Sequence, residues 1–197
     1  MEWFSTLEVL PGALSTLDGV VLVGISFLTS MLTAAVGIGG GMLLLAVMAQ
    51  ILPVPAIVPV HGVVQLGSNA GRAFILGSNI DCRLLLYFLA GSIIGAFVGG
   101  QIVVALPLMY LQLVLAIFIL FSTWGPKPAA NTSGTKGLLV GGFLSTLLTM
   151  FVGATGPFVA VMLKRLGLDK LTQVATMAAC MSAQHALKVM VFAVLGF

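Results

Sequence analysis

Long apolar segments, two of them interrupted by glycine, constrain this chain more than any other feature. A membrane-spanning helix needs about 20 apolar residues, and residues 57–76, 84–106 and 171–195 reach that length, while 108–124 nearly do. Only 7% of the 197 residues are charged and 60% are apolar, so there is too little charge to cover a surface in water. We predict an all-α polytopic membrane protein. This excludes a soluble enzyme, a nucleic-acid-binding protein and a disordered chain.

Two further apolar segments are broken by glycine-rich turns. Residues 20–52 contain Gly37-Ile38-Gly39-Gly40-Gly41, and residues 137–168 contain Gly153-Ala154-Thr155-Gly156-Pro157. Each arm after the turn is too short to cross a bilayer by itself. We therefore predict two helical hairpins whose turns lie within the membrane.

The two hairpins belong to an internal duplication. A shift of 116 positions aligns residues 27–40 with 143–156, and seven of these fourteen positions are identical. The first copy, 19–124, would comprise hairpin 20–52 and spans 57–76, 84–106 and 108–124. A cytoplasmic loop, 125–136, would follow, and then a second copy, 137–197, with hairpin 137–168 and span 171–195. The partners of the last two spans would fall beyond Phe197, so we expect this chain to be a fragment.

Basic residues predict the orientation of the copies, because short cytoplasmic loops collect Lys and Arg. The loops at 77–83, 127–136 and 164–170 contain Lys or Arg, whereas 52–55 and 106–107 contain none. The N-terminal segment 1–18 is acidic and is expected to be extracytoplasmic. Because three is an odd number, three spans between the hairpins would place the two copies in opposite orientations. We expect the protein to lie in the cell inner membrane. The alternative is a bundle of simple spans with a parallel duplication.

The glycine turns and two polar helix faces are the candidate anion site. A helix N-terminus exposes free N–H groups and a partial positive charge, which favour an anion. No Asp or Glu lies within a predicted span, so a buried Arg or Lys there would find its counter-ion in a substrate. The turn residues concerned are Gly37, Gly39, Gly40, Gly41, Gly153, Thr155, Gly156 and Pro157. The side chains from the two faces are Gln65, Ser68, Asn69, Arg72, Gln184, His185 and Lys188.

Purely structural roles for these residues remain open. The glycines can simply allow close helix packing, and Arg72 and Lys188 can extend their side chains to the membrane surface. His61 and His185 are candidates for a proton relay, although such histidines are more often plain hydrogen-bonding residues. The sequence offers no metal site, no cofactor site and no catalytic group. Gly91, Gly95 and Gly99 predict the close approach of a neighbouring helix, or else a homodimer face.

The Gly-Ile-Gly-Gly-Gly turn, the Gly-Ala-Thr-Gly-Pro turn and the polar helix from His61 to Arg72 resemble the sulfite exporter TauE/SafE family of membrane permeases. The resemblance covers nearly the whole chain. It implies a permease for a small sulfur-containing anion such as sulfite, a sulfonate or thiosulfate, with lipid and that anion as its partners. The second turn departs from a GxGGP pattern at Thr155, where the pattern has a glycine. The alternatives are a passive channel for a small solute and a non-transporting membrane subunit.

Overall fold

A computed structural model describes residues 14–37, 39–105 and 134–196, and also positions 109, 110, 113, 116, 117 and 120. Most of the predicted N-terminal segment 1–18, of span 108–124 and of loop 125–136 lies outside the described residues, as do Ile38 and Phe197. Within the described part the chain is all-helical, with no strand. It forms α1 (Thr16–Val36), α2 (Gly40–Ile51), α3 (Val54–Ile75), a 3-10 helix (Gly77–Asn79), α4 (Cys82–Ala105), α5 (Thr135–Val152), α6 (Gly156–Lys164) and α7 (Lys170–Val194).

Among the described residues, four helices are long and apolar enough to cross a membrane: α1, α4, α5 and α7. Helix α3 has 22 residues but is not among them, because its polar face lowers its hydropathy. The outer surface carries large apolar side chains such as Phe74, Phe97 and Val194. The buried set, by contrast, includes Thr, Ser, Gln, His and Lys side chains. An apolar exterior around a polar interior is the arrangement of a multi-pass membrane protein.

Local sequence explains where the helices begin. The Ser15 hydroxyl accepts a hydrogen bond from the Asp18 N–H, and the Asp18 carboxylate accepts one from the Ser15 N–H, which forms a capping box at the start of α1. Asp169 accepts hydrogen bonds from the N–H groups of Leu171 and Thr172 at the start of α7. Hydrogen bonds from Thr172 lower the pKa of the Asp169 carboxyl. This carboxylate therefore caps α7 over the ordinary pH range.

Glycines bring α4 and α5 into direct contact. Gly91 and Gly95 face the backbone carbonyls of Leu139 and Phe143, so a Cβ at either glycine would collide with α5. Gly99 continues the same row, against the Met150 side chain. The prediction that these three glycines admit a neighbouring helix is confirmed. This close packing fixes α5, and with it the second glycine turn at its end, against the rest of the bundle.

Three apolar clusters surround the polar interior. One joins α4, α5, α6 and α7 around Phe88, and a second packs Leu44, Leu45 and Met48 of α2 against α3 and Ala154. A third, smaller cluster contains Val103, Met150 and Phe192. The second cluster matters for function, because it places the first turn and α2 next to the second turn.

Candidate functional site

The two glycine turns meet at a small internal cavity. The cavity has a volume of about 30 Å³, which is space for one or two waters. It lies where both turns face α3 and α7, and most of the side chains that these two helices place in its wall are polar. Its lining residues are Thr33, Gly37, Gly39, Gly41, Met42, His61, Gln65, Asn69, Ala154, Gly156, Pro157, Met177, Met181 and His185.

The first turn exposes backbone N–H groups. Gly37 and Gly39 have φ angles of 90° and 102°, a backbone conformation that residues with a side chain rarely adopt. Helix α2 then begins at Gly40 with no side-chain cap. In the described part of the chain, the N–H groups of Gly40 and Gly41 find no acceptor. Such unpaired donors at a helix start favour an anion.

Gly40 has a packing role of its own. A Cβ at this position would collide with the Thr29 carbonyl oxygen and the Thr33 hydroxyl of α1. A Cβ on Gly41 would instead lie 3.1 Å from the Gln65 amide nitrogen. Of the glycines predicted to bind substrate, Gly40 therefore holds α1 and α2 together, while Gly37, Gly39 and Gly41 line the cavity.

The second turn is held by side chains. Gly153 has a φ angle of 81° and ends α5, and Pro157 lies in the first turn of α6, where its missing N–H is not needed. Thr155 occupies the N-cap position but makes no capping hydrogen bond. Its hydroxyl instead accepts a 2.7 Å hydrogen bond from Gln184 Nε2 and lies 3.1 Å from the Ser145 hydroxyl.

These three side chains form a closed triangle. The Ser145 hydroxyl donates to Gln184 Oε1 at 2.6 Å, and all three residues are almost completely buried. The triangle ties the second turn to α5 and α7. It also leaves the side-chain amide of Gln184 satisfied, so Gln184 supports the turn and does not line the cavity.

The polar face of α3 reaches the first turn. The carbonyl of Gly41 can only accept, so His61 Nε2, 2.8 Å away, must donate to it. Asn69 Nδ2 donates to the Gln65 carbonyl at 2.7 Å. Arg72 Nη2 donates to Asn69 Oδ1 at 2.8 Å.

Arg72 also reaches α1, because its Nη1 donates to the Thr33 carbonyl at 3.5 Å. It does not line the cavity itself, but it positions Asn69, which does. Ser68 is half-buried on the same helix and is not part of the lining. The predicted face thus divides into residues at the cavity and residues behind it.

Helix α7 adds His185 and Lys188. The rings of His61 and His185 are in an edge-on arrangement with centroids 6.1 Å apart, and both line the cavity. His185 Nδ1 is buried with no hydrogen-bond partner among the described residues. Lys188 is completely buried behind the second turn, and its Nζ donates to the Gly153 carbonyl at 3.4 Å.

Several lining residues are absent from the sequence-based candidates: Thr33, Met42, Ala154, Met177 and Met181. Thr33 could have been found, since it is one of the seven identities of the repeat and lies four residues before Gly37. The three methionines give no such signal, because methionine is ordinary filler in an apolar interior. In the described part of the chain no cluster of His, Cys, Asp and Glu could hold a metal ion.

This architecture is that of a multi-pass membrane protein with a polar cavity between the two glycine turns. The family model of the sulfite exporter TauE/SafE proteins matches residues 22–197. The chain belongs to this family, which is a family of membrane transporters for sulfur anions. No curated protein and no solved structure matches the chain significantly.

Proposed function

We propose that this protein carries a small sulfur oxyanion, such as sulfite, a sulfonate or thiosulfate, through the cavity between the two glycine turns. The observation that supports this most is the set of donors collected there without a carboxylate. The first turn offers the N–H groups of Gly40 and Gly41, and the helices add His185 and, behind the turns, Lys188. Donors gathered without a carboxylate suit a substrate that brings the negative charge.

Carboxylates of the described residues lie elsewhere. Asp18 belongs to the cap of α1, Asp81 accepts from the Leu84 N–H at the start of α4, and Asp169 caps α7. Each is engaged at a helix start and away from the glycine turns. An anion in the cavity would therefore meet basic groups without competition from a resident carboxylate.

The cavity as it stands holds only one or two waters, so an oxyanion with several heavy atoms requires the site to open. We propose that the two repeats are inverted and that opening on alternate sides moves the hairpins relative to the bundle. Single cysteines at Pro53 and Gly167, in a variant without Cys82 and Cys180, would then react with an impermeant thiol reagent from opposite sides. Labelling from the same side would refute the inverted repeat.

The location of the site can be tested by filling it. Gly156 lines the cavity, and a Cβ there would meet only the Met177 and Met181 methyl groups, at 3.9 Å and 4.0 Å. Gly156→Ala should therefore insert and fold normally while reducing anion uptake severalfold. Gly67→Ala is the matched control, because Gly67 is exposed and has open space around it.

The assay is counterflow of labelled sulfite, thiosulfate and methanesulfonate in liposomes containing the purified protein. Saturable counterflow supports a carrier, whereas uptake that does not saturate and shows no counterflow would indicate a channel. Complete absence of flux for all three anions would contradict the proposal and favour a non-transporting subunit. Equal uptake by the Gly156→Ala variant and the parent would show that the substrate passes elsewhere.

A further inference from the structure

Lys188 is the only Lys, Arg, Asp or Glu among the described residues whose side chain is buried. It is completely buried between α7 and α3, where its Cε lies 2.7 Å from the place that a Cβ on Gly62 would occupy. Within the described part of the chain, the only hydrogen bond of its amine goes to the Gly153 carbonyl. That carbonyl ends α5, whose C-terminus carries a partial negative charge. This partial charge at the Gly153 carbonyl balances an ammonium less well than a carboxylate would.

The titratable groups that face Lys188 are two histidines. His61 of α3 lies beside the same turn residue that Lys188 contacts, since its Nδ1 is 3.3 Å from the place that a Cβ on Gly153 would occupy. His185 lies one turn before Lys188 on α7. Arg72, also on α3, is engaged with Asn69 and the Thr33 carbonyl. None of these groups supplies a negative charge.

Helices α4, α5 and α6 bring no counter-charge either. The end of α4 near Lys188 is marked by Gly100, which packs on Val191, and Arg83 lies 17 residues away on that helix. Gly153 and Lys136 of α5 are also 17 residues apart. At 1.5 Å per residue, each of these basic groups is about 25 Å from the Lys188 region. Lys164 is the last residue of α6 and lies at the end of that helix away from the second turn.

We propose that Lys188 takes up one proton whenever the cavity takes up an anion, so that a proton and an anion cross the membrane together. This inference depends on the proposed function. An ammonium buried without a counter-charge is costly, and a neutral amine avoids that cost when the cavity is empty. An anion beside the second turn supplies the missing charge and stabilises the ammonium. Because binding linkage is reciprocal, the proton must strengthen anion binding by the same factor.

The two histidines offer a path for that proton. His61 Nε2 holds a hydrogen for the Gly41 carbonyl, which leaves Nδ1 of the neutral ring as an acceptor on the side of Gly153. His185 lines the cavity and lies edge-on to His61. A proton that enters the cavity with the anion can therefore pass through imidazole nitrogens to the Lys188 amine. The amine then holds the proton as an ammonium that donates to the Gly153 carbonyl.

Methanesulfonate tests this coupling, because its charge does not change between pH 6 and pH 8. Liposomes containing the full chain and a trapped pH-sensitive dye receive an inward methanesulfonate gradient, with the membrane potential set by potassium and valinomycin. The parent protein should acidify the lumen by one proton per anion, at a rate independent of the potential. Its half-saturation concentration should rise by up to tenfold for each unit of increasing pH.

Two variants separate a proton carrier from a structural lysine. Lys188→Met should retain some counterflow, lose the acidification and have a half-saturation that does not depend on pH. Lys188→Arg keeps a fixed charge and should exchange anions without moving protons. Lys170→Met, at the exposed start of α7, is the matched control and should behave as the parent does.

Methanesulfonate counterflow without acidification in the parent would overturn the coupling and leave the proposed function intact. One proton per anion in the Lys188→Met or Lys188→Arg variant would also overturn it. So would a pH-dependence that persists in these variants but disappears in His185→Gln, since the proton would then belong to the histidine. Absence of counterflow for every anion in the parent would refute the proposed function itself.

Discussion

Replacement of Thr155 by valine tests whether the side-chain triangle holds the second turn. Valine has nearly the shape of threonine, so the main change is the loss of the hydroxyl that accepts from Gln184 at 2.7 Å and lies 3.1 Å from Ser145. The buried Gln184 Nε2 would then lose its acceptor. An unsatisfied buried donor costs about 1–3 kcal/mol, and hydrogen bonds within membrane proteins lie toward the lower end. We expect the Thr155→Val variant to be destabilised by about 1–2 kcal/mol.

The measurement is the apparent melting temperature of the purified protein in detergent, together with anion counterflow. For a chain of this size, each kcal/mol corresponds to about 2–4 °C. Thr155→Ser keeps the hydroxyl and should restore both melting temperature and counterflow. If Thr155→Val melts with the parent and transports at the parental rate, the triangle does not hold the turn and the argument is wrong.

Three further predictions follow from the packing and the hydrogen bonds. Gly40→Ala should lower the yield of folded protein more than Gly156→Ala does, since its Cβ collides with α1; equal yields by size-exclusion chromatography would contradict this. Arg72→Gln should nearly abolish counterflow. Arg72→Lys should raise the half-saturation concentration of the anion severalfold, because lysine lacks the planar fork with which arginine holds both Asn69 and the Thr33 carbonyl. Parental kinetics in both variants would show that Arg72 only anchors its helix. Asp169→Ala should lower the melting temperature at neutral pH, and since the folded pKa of Asp169 is lowered, the difference should shrink only below pH 3.8; a difference that is constant with pH would show that its charge is irrelevant.

The sequence was sufficient to predict the helical membrane class, the family and the polar composition of the site. Periodicity placed His61, Gln65 and Asn69 on one face, and all three line the cavity. Periodicity could not separate these from Ser68 and Arg72, because one helical face covers a range of depths and neighbours. Which residues reach the cavity depends on how α3 is placed against the two turns.

The roles of individual glycines were not predictable from the sequence either. Gly40 and Gly41 are adjacent and identical in type, yet one packs on α1 and the other faces Gln65. That difference arises from the rotation of α2 about its own axis, which is fixed by long-range contacts. Burial of Lys188 is of the same kind: the sequence left open whether its side chain extends to the membrane surface, and the structure shows that Gly62 of α3 leaves a space that the lysine fills.

The repeat register explains why the two turns, although related, offer different chemistry. Ser145, Thr155 and Gln184 correspond to Thr29, Gly39 and Ser68 of the first copy. In the second copy these three side chains bond to one another, and Pro157 removes a further N–H. In the first copy Gly39 has no side chain to close such a triangle, and the amides of Gly40 and Gly41 have no acceptor among the residues that the structure describes. If an anion binds between the turns as we propose, its backbone donors would be at the first turn and its basic side chains beside the second, where Lys188 would respond to its charge.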